Sequence, residues 1–588
     1  MTNVFNVAHS VLGHKWSWRG GVAPDPSGGD DLVDQLFRAR GAIAADFDRL
    51  RSAKLRDWLP DPSIFRDMDV ASRRLAAAIE GGEPVVVFGD YDVDGATSAA
   101  LLIRVIRDAG GTASAYIPDR LLEGYGPSAT AMAALAAAGA TLIVTVDCGT
   151  QGFDALAAAK AANVEVIVVD HHQASTALPV ALAIVNPRRL DEGDGAAFGH
   201  LAAVGMAFLL AVGVVRTLRT RGWFGDRTAP DLMSLLDLVA LGTVADVVPL
   251  TGLNRAFVTQ GLKVMAARQN VGLAALARVA GIDRAPTCRD LGFALGPRIN
   301  AGGRVGKSDL GVRLLTSVDP NEAAALAAEL DRLNHERRAI EAIVADEAVA
   351  LSARTGNAAI AVIASAGWHP GVIGIVAGRL KDRLKKPVVV IALEGTGDGV
   401  VGKGSGRSVP GVDLGGAVLA AKDAGLLIAG GGHAMAAGLT VAAERIDELT
   451  TFLDERLSSE VGRDAGSRAL TIDAALAPSG VSVDLVEALE SAGPYGQGWS
   501  HPRVASGPWR IAKVDIVGDN HVRAILMGGD GARLKAMAFR HGDTSLGVAL
   551  LGAARDSRWC VVAGRVARDD WGRTPAVELH LDDLAWVD

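Results

Sequence analysis

The sequence contains little cysteine and no two cysteines at short spacing. Cys148, Cys288 and Cys560 are scattered along a chain of 588 residues. A disulfide framework or a cysteine-ligated zinc site needs clustered cysteines, so neither is expected here. This usage fits a reducing compartment, and we expect a cytoplasmic protein.

Long apolar runs are also missing. The longest uncharged run near a candidate span covers residues 201–215, which is shorter than the ~20 residues needed to cross a bilayer. We interpret it as a buried helix. The N-terminal MTNVFNVAHS lacks the charged-then-apolar pattern of a secretory signal. No membrane association is therefore expected.

The chain has no excess of positive charge. Its 59 Lys and Arg residues against 67 Asp and Glu residues give a net charge of −8. This balance argues against a protein that coats nucleic acid non-specifically. It remains compatible with an enzyme that combines acidic metal ligands with a local basic groove. The length suggests roughly three or four domains.

What the chain does have is an acidic stretch directly after an apolar strand, VVVFGDYDVDG at 85–95. The β-branched residues predict a buried parallel strand. Asp90, Asp92 and Asp94 follow at every second position, so an extended turn would put all three on one side. Such carboxylates repel one another unless a divalent cation lies between them. The alternative is a solvated acidic turn.

Strands and helical stretches alternate through this region. We predict strands at 84–88, 113–117, 142–146 and 165–169, with helical patterns at 99–109 and 128–138 between them. This alternation predicts a parallel sheet, and ligands bind at the carboxyl ends of such strands.

Further acidic sites follow the later strands and an apolar helical run. They are Asp147 in TVDCG, Asp170-His171-His172 in VVDHH, and Asp246 in ADVVP. A lone aspartate after a strand is often only a helix cap, and a lone histidine pair is often structural. Because these residues all fall at one sheet edge, we predict a carboxylate and histidine site for Mn²⁺ or Mg²⁺, not zinc.

The motifs GDYDVDG, VDCG, VVDHH and ADVVPL, in this order and spacing, resemble those of the DHH phosphoesterase superfamily. GPRINAGGR at 296–304 and GGGHAMAAG at 430–438 further resemble the RecJ family of single-strand-specific exonucleases. The resemblance extends from about residue 50 to the C-terminus. It implies 5′-to-3′ degradation of single-stranded DNA to 5′-mononucleotides in DNA repair and recombination.

For a two-metal phosphodiesterase of this kind, ligand roles can be assigned. The ligands are Asp92, Asp94, Asp147, His171 and Asp246, with Asp147 bridging and Asp90 as a further ligand or supporting partner. We expect Asp170 to orient His171 through its other ring nitrogen. His172 is then free to face the phosphate or to protonate the leaving oxygen.

The resemblance also implies phosphate contacts. Arg120, Arg298 and Arg304 would neutralise phosphates, Asn300 would contact substrate, and Arg120, Ser405 and Arg407 would form a terminal-phosphate pocket. One departure is Phe88, where several family members carry histidine; it implies that one metal site is weaker.

The second half of the chain predicts three further parts. Residues 320–352 keep a three-or-four spacing of apolar residues and predict one long connecting helix. Residues 355–460 predict a second α/β unit, with strands at 359–364 and 387–392 and glycine-rich loops at 402–408 and 430–438. Gly432, His433 and His369 could contact phosphate there, or the loops could be plain turns.

Strand-like runs at 509–517, 521–527, 533–539, 559–568 and 576–581 predict an OB-type barrel for single strands. Tyr495 and Trp499 just before it could stack on bases or belong to the core. The tryptophans of the N-terminal extension are expected to pack on the next domain. The hydrophilic stretch 462–467 marks a boundary.

The resulting fold class is α/β, with a C-terminal barrel. The domains are an N-terminal extension (1–45), a DHH metal-binding catalytic domain (46–265), a connector with the RxNxxGR motif and long helix (266–354), a DHHA1 substrate-binding domain (355–462) and an OB-fold nucleic-acid-binding domain (467–588).

Two other functions remain open. A DHH hydrolase acting on short oligonucleotides or cyclic dinucleotides would be a shorter chain without the barrel. A non-catalytic scaffold that binds single strands would have lost metal ligands, whereas all four motifs are intact. Only the resemblance points to a single-stranded-DNA-binding protein and a RecQ-type helicase as partners; we expect a monomer.

Overall fold

The computed structural model describes residues 3–21, 23, 31–120, 122–395, 399–461, 469–556, 558–569 and 576–587. The chain divides into two compact units. Unit 1 comprises residues 1–59, 249–259 and 465–588, and unit 2 comprises residues 60–248 and 260–464. The predicted boundary stretch 462–467 lies outside the described residues.

Helices and strands alternate along the first half of the chain. Up to residue 266 the elements are β1 (Lys15–Trp18), α1 (Leu32–Ala39), α2 (Phe47–Ser52), α3 (Met68–Glu80), β2 (Val85–Gly89), α4 (Val93–Asp108), β3 (Ala113–Tyr116), α5 (Ala129–Ala137), β4 (Leu142–Val146), α6 (Phe153–Ala161), β5 (Glu165–Val169), β6 (Ala183–Val185), α7 (Ala203–Thr220), α8 (Leu236–Ala245) and α9 (Gly252–Ala266).

The central elements are α10 (Val271–Val279), α11 (Cys288–Asp290), α12 (Gly296–Val305), α13 (Leu310–Thr316), α14 (Pro320–Ser352), β7 (Ala361–Ala366), α15 (Ile373–Leu384), β8 (Val388–Glu394), β9 (Val401–Arg407), α16 (Leu414–Asp423), β10 (Ala429–His433), β11 (Ala436–Ala442) and α17 (Ile446–Leu457). The C-terminal elements are β12 (Ala469–Ile472), β13 (Ala474–Leu476), α18 (Val483–Ser491), β14 (Val504–Val517), β15 (His521–Gly528), β16 (Arg533–Ala538), α19 (Ser545–Asp556), β17 (Trp559–Asp569) and β18 (Ala576–Trp586).

Unit 2 begins with the predicted parallel sheet. Its strand order is β3-β2-β4-β5-β6, and every neighbouring pair is parallel. The four predicted strands are confirmed to within two residues at each end; β6 was not predicted. Because β2, β4 and β5 all run the same way, their carboxyl ends meet at one edge, where the acidic motifs begin.

The apolar run at 201–215 lies in helix α7. By length and composition α7 could cross a membrane, but 72% of that window is buried inside unit 2. Helices α3, α4 and α8 pack against it. The prediction of a buried core helix is therefore confirmed.

The second α/β part of unit 2 is a mixed sheet of order β10-β11-β9-β8-β7. The prediction of glycine-rich loops at 402–408 and 430–438 was wrong, because these residues form β9, β10 and β11. A Cβ on Gly402 would lie 2.6 Å from Ile391, and one on Gly406 would lie 2.7 Å from Leu414. The alternate glycines of β9 therefore allow close packing, and Ser405 and Arg407 project from the opposite face.

Helix α14 connects the two parts of unit 2, and its predicted span is confirmed. Pro320 occupies the first turn, where a missing N–H is tolerated, and the Asp319 carboxylate accepts from Asn321 N. Helices α10, α12 and α13 pack on α14 from the first part, and α15 packs on it from the second.

Unit 1 contains the predicted barrel. Strands β14, β15, β16, β18 and β17 pair in that order, and pairing of β14 with β17 closes the barrel. Strand β1 pairs in parallel with β12, and Trp16 is fully buried beside Ile472 and Val561. The expectation that Trp16 packs on the following domain was wrong, because apart from Val4 and Val7 its cluster comes from residues 472–585 at the other end of the chain.

Tyr495 and Trp499 belong to the core of unit 1 and not to a base-binding surface. Trp499 is 6% exposed, and its indole N–H donates to the Ala492 carbonyl over 3.0 Å. The Tyr495 hydroxyl donates to the Leu489 carbonyl. Of the two interpretations from the sequence, the structure supports the core role.

The buried carboxylate of Asp237 in unit 2 should make the free energy of unfolding depend on pH. Asp237 on α8 is 2% exposed, and burial raises the pKa of its carboxyl from 3.8 to about 6. The folded protein therefore binds this proton more tightly than the unfolded chain does. Stability falls as pH rises from about 4 to about 6, by about 3 kcal/mol in total.

We therefore expect Asp237→Asn to raise the free energy of unfolding at pH 8 and to have little effect at pH 4, measured by thermal unfolding at both pH values. The amide keeps an acceptor for Leu238 N. An equal effect at both pH values would contradict a charged carboxylate as the cause.

Candidate metal centre and phosphate pocket

The first acidic motif lies where strand β2 passes into helix α4. The Asp92 carboxylate caps this helix by accepting from Asp94 N over 2.9 Å and from Gly95 N over 3.1 Å. A Cβ on Gly95 would lie 2.4 Å from the Asp90 carbonyl, so only glycine fits. The predicted extended turn was wrong, because the helix starts at Val93 and places Asp94 in its first turn.

The acidic motifs nevertheless converge. Three overlapping groups have ligand atoms within 4.8 Å of one another: Asp90, Asp92 and Asp147; Asp94, His171 and Asp246; and Asp147, His171 and His172. Asp147 is shared between two groups. Its φ of 60° is in the left-handed region, and backbone strain of this kind is found at functional sites.

These carboxylates repel one another in a buried setting. Burial together with Asp246 raises the pKa of Asp94 to about 7, and burial together with Asp92 raises the pKa of Asp246 to about 7. Burial and neighbouring carboxylates also raise the pKa values of Asp90 and Asp147 well above their usual range.

The same residues contain buried polar atoms without hydrogen bonds. Asp90 Oδ1, Asp147 Oδ1 and His171 Nε2 have no hydrogen-bond partner. Because buried polar atoms are nearly always paired, these three acceptors indicate a site for a cation. A set of carboxylate oxygens with one imidazole and no thiolate suits Mn²⁺ or Mg²⁺.

The two neighbouring histidines are held differently. His171 Nδ1 lies 3.0 Å from the Leu201 carbonyl. A carbonyl only accepts, so Nδ1 carries the proton and the Nε2 lone pair faces Asp147, whose Oδ1 lies 3.2 Å away. This is the arrangement of a metal-binding histidine.

The expectation that Asp170 orients His171 was wrong. Its carboxylate bonds His172 Nδ1 over 2.8 Å and also accepts from His171 N and Thr150 N. The side chain turns back onto the amides that follow it, so it reaches the second histidine and not the first. Although burial acts in the opposite direction, Asp170 raises the pKa of His172 to about 9.

Tyr125 is a site residue that the sequence did not indicate. Its hydroxyl donates to the Asp147 carbonyl over 3.0 Å and lies 3.2 Å from His172 Nδ1. His172 is therefore held by both Asp170 and Tyr125, and its Nε2 lies 3.3 Å from the same hydroxyl. The residue stands five positions after Arg120, but no spacing rule marks a lone tyrosine in a loop.

Three arginines from separate segments meet beside the metal clusters. Burial, Arg120 and Arg337 lower the pKa of Arg304 to about 10, and burial and Arg120 lower the pKa of Arg407. Arg407 Nη1 lies 3.1 Å from Ser405 Oγ. Mutually repelling, half-buried guanidinium groups form a site suited to an anion such as phosphate.

This arginine pocket adjoins the metal ligands through Tyr91, which lies between Asp90 and Asp92 in sequence. The Arg120 guanidinium stands 4.7 Å above the Tyr91 ring. A Cβ on Gly303, next to Arg304, would lie 3.1 Å from the Tyr91 carbonyl.

Some predicted phosphate contacts have other partners. Arg298 Nε pairs with Asp331 of α14 over 2.8 Å, so this guanidinium joins two helices. Asn300 is partly exposed on the same helix α12. His369 Nδ1 accepts from Gly371 N, and the Gly371 carbonyl accepts from Arg304.

Gly432 and His433 lie on the edge strand β10. They border an open cavity of about 380 Å³ with the start of helix α16. His433 is exposed, and the backbone of this strand lies against Gly415, where a Cβ would be 2.7 Å from the His433 carbonyl.

Phe88 is fully buried in the hydrophobic core, where its ring stacks on Tyr116 with centroids 5.1 Å apart. It serves core packing, and the three ligand groups form without it. The implied weakening of a metal site by Phe88 has no support in this geometry.

We expect Asp147→Ala to weaken Mn²⁺ binding strongly, because Asp147 belongs to two ligand groups, while the chain stays folded. Titration calorimetry with Mn²⁺ measures the affinity, and circular dichroism reports the fold. Asp154→Ala, an exposed carboxylate on α6, is the matched control. Unchanged Mn²⁺ binding by Asp147→Ala would contradict the assignment.

Comparisons with known proteins agree with this architecture. Family models match residues 84–243 (DHH family, N-terminal domain), 355–459 (DHHA1 domain) and 472–583 (RecJ OB domain). The single-stranded-DNA-specific exonuclease RecJ of Dickeya dadantii is 39% identical over 498 residues, covering 82% of this chain and 85% of the relative. Its counterpart from Escherichia coli K12 is 36% identical, covering 88% and 90%.

Solved structures of RecJ proteins are also similar to this chain. RecJ of Thermus thermophilus in complex with Mn²⁺ has a TM-score of 0.76 at 27% identity, covering 95% of this chain and 76% of that one. An exonuclease RecJ bound to manganese has a TM-score of 0.58 at 32% identity, covering 68% and 97%. Because the relatives from Dickeya dadantii and Escherichia coli match most of its length at more than 30% identity, this chain belongs to the RecJ family of single-stranded-DNA-specific exonucleases.

Proposed function

We propose that this chain degrades single-stranded DNA from the 5′ end and releases 5′-mononucleotides. The observation that carries the proposal is the arginine pocket directly beside the metal ligands, joined through Tyr91. A terminal 5′-phosphate in the pocket leaves the first internucleotide phosphate facing the carboxylates. Cleavage there releases one nucleotide and leaves a new 5′-phosphate on the shortened strand.

Two cation positions follow from the ligand groups. Asp90, Asp92 and Asp147 would hold one cation, and Asp94, His171 and Asp246 the other, with Asp147 close to both. Cations held by these residues would supply activation of a water molecule and neutralisation of charge on the scissile phosphate.

His172 acts as the general acid. Because its pKa is raised to about 9, its imidazole is protonated at neutral pH. Asp170 holds the Nδ1 proton, so Nε2–H is the donor for the leaving 3′-oxygen. Tyr125 fixes the ring from the other side and ties it to the Asp147 backbone.

The remaining domains fit this role. The DHHA1 part supplies Ser405 and Arg407, with Gly432 and His433 as further substrate contacts, and the barrel would hold the single strand. A single-stranded-DNA-binding protein and a RecQ-type helicase as partners, a monomeric state and a cytoplasmic location complete the proposal; the family resemblance supports them.

A substrate panel tests the proposal. With Mn²⁺, we expect rapid loss of nucleotides from the 5′ end of 5′-phosphorylated single-stranded DNA and little cutting of blunt duplex. Activity confined to RNA of two to five nucleotides would favour a hydrolase of short oligonucleotides. Tight strand binding without cleavage would favour a scaffold.

The terminal-phosphate pocket has its own prediction. Arg407→Ala should raise KM roughly tenfold or more for 5′-phosphorylated strands, because a charge-assisted contact is lost. The same variant should handle 5′-hydroxyl strands as the wild type does. Arg383→Ala, an exposed arginine on α15, is the control. An equal loss on both strand types would refute recognition of the terminal phosphate.

The Asp170–His172 pair predicts non-additive kinetics. Asp170→Asn and His172→Ala should each lower kcat by about 10²–10⁴, and the double variant should be no slower than His172→Ala alone. Mn²⁺ affinity, measured in parallel, should fall far less than it does in Asp147→Ala. If the two single effects multiply, Asp170 acts independently of His172.

A further inference from the structure

Phe293 is an aromatic side chain left open to solvent on unit 2. It is 76% exposed, compared with 55% for Tyr125 and 45% for Phe539. The two ends of its segment, Leu291 and Leu295, are fully buried, so the exposure does not come from a loosely packed loop.

The segment is a π-helical turn, Leu291–Leu295, between α11 and α12. Turns of this type are rare and are found frequently at functional sites. The buried leucines at both ends anchor the backbone that presents the ring of Phe293 to solvent.

The turn rests on the segments that carry the metal ligands. A Cβ on Gly292 would lie 3.7 Å from Val244, and one on Gly296 would lie 3.5 Å from Ala245 and 3.8 Å from Val93. Val244 and Ala245 directly precede Asp246, and Val93 lies between Asp92 and Asp94. The turn that carries Phe293 therefore packs against residues adjacent in sequence to the metal ligands.

The surroundings of Phe293 form a surface suited to a strand. Val247, which directly follows Asp246, is a further exposed apolar side chain at 64% exposure. Asp290 and Ala294, on either side of Phe293 in sequence, line an open cleft of about 570 Å³ together with the turn at 280–284.

Helix α12 places Phe293 opposite the arginine pocket. Phe293 lies three residues before the first residue of α12, and Arg304 lies at its end. At 1.5 Å per residue the ten-residue helix spans roughly 15 Å. The 5′-phosphate belongs at the Arg304 end, so a base near Phe293 belongs to a nucleotide downstream of the cleaved bond.

We propose that Phe293 is a stacking platform for a nucleobase on the 3′ side of the scissile phosphate. A strand that leaves the metal centre towards the cleft passes over this ring, and any base can stack on it because every base has a π-face. The contact would hold the strand in register between successive cuts without selecting a sequence. This inference rests on the proposed nuclease function.

An abasic scan tests the platform. Strands carrying a single tetrahydrofuran residue at each of the first eight positions are compared on wild type and Phe293→Ala. On unmodified DNA we expect Phe293→Ala to raise KM roughly five- to hundredfold, the loss of one stacked base, with kcat within about twofold.

The decisive result is the coupling between the two changes. At one downstream position, the abasic residue should raise KM for wild type and have no further effect on Phe293→Ala. Phe293→Trp should restore the wild-type pattern, and Phe293→Leu should not. Ile343→Ala, an exposed apolar residue on α14 at 62% exposure, should behave as wild type.

Other outcomes would overturn the inference. Equal abasic effects in wild type and Phe293→Ala at every position would show that no base stacks on this ring. A fall in kcat with KM unchanged would assign Phe293 to support of the Asp246 segment. Failure of the wild type to degrade unmodified single strands would refute the proposed function itself, independently of Phe293.

Discussion

Repulsion among buried carboxylates is the constraint on which the rest of unit 2 depends. Asp90, Asp92 and Asp94 come from one segment and meet Asp147 and Asp246 from two others within a few ångströms. The raised pKa values of Asp94 and Asp147 show that the fold alone does not compensate their charge. Bound cations would compensate this charge at neutral pH, so the sheet edge and its capping interactions serve metal binding.

In unit 1, by contrast, the buried carboxylates of Asp473 and Asp583 have hydrogen-bond donors. Asp473 is 3% exposed and accepts from Arg19, Arg40 and Arg503 N. Asp583 is fully buried and bonds His14 and Trp16. All of these donors are remote from their acceptor in sequence. Buried carboxylates with a complete set of donors hold a structure together, whereas those without donors mark a site for a cation.

Ion pairs on helix α14 hold the arginine pocket in place. Arg298 of α12 pairs with Asp331, and Glu341, 1% exposed, pairs with Arg337 and with Arg379 of α15. Arg304 on α12 and Arg407 on β9 therefore sit on elements that are tied to one rigid helix. The close glycine packing of β9 against β8 and β11 fixes the second of these arginines further.

The sequence by itself determined the elements whose signals are local. Apolar runs and their spacing were enough for the parallel strands, the core helix α7, the helix α14 and the barrel strands, because hydrophobic periodicity reflects burial directly. The convergence of Asp90, Asp147 and His171 also followed from sequence, since parallel strands bring their carboxyl ends to one edge.

Only the tertiary structure decided which distant groups meet. Asp170 bonds His172 and not the His171 ring because its side chain folds back on its own turn. The role of Tyr125 depends on the path of its loop, for which the sequence carries no pattern. The glycines of β9 predicted a loop because local composition does not show the leucine and isoleucine side chains that crowd them. The burial of Trp16 and the exposure of Phe293 were likewise visible only in the structure, since burial is a property of the assembled fold and not of the segment.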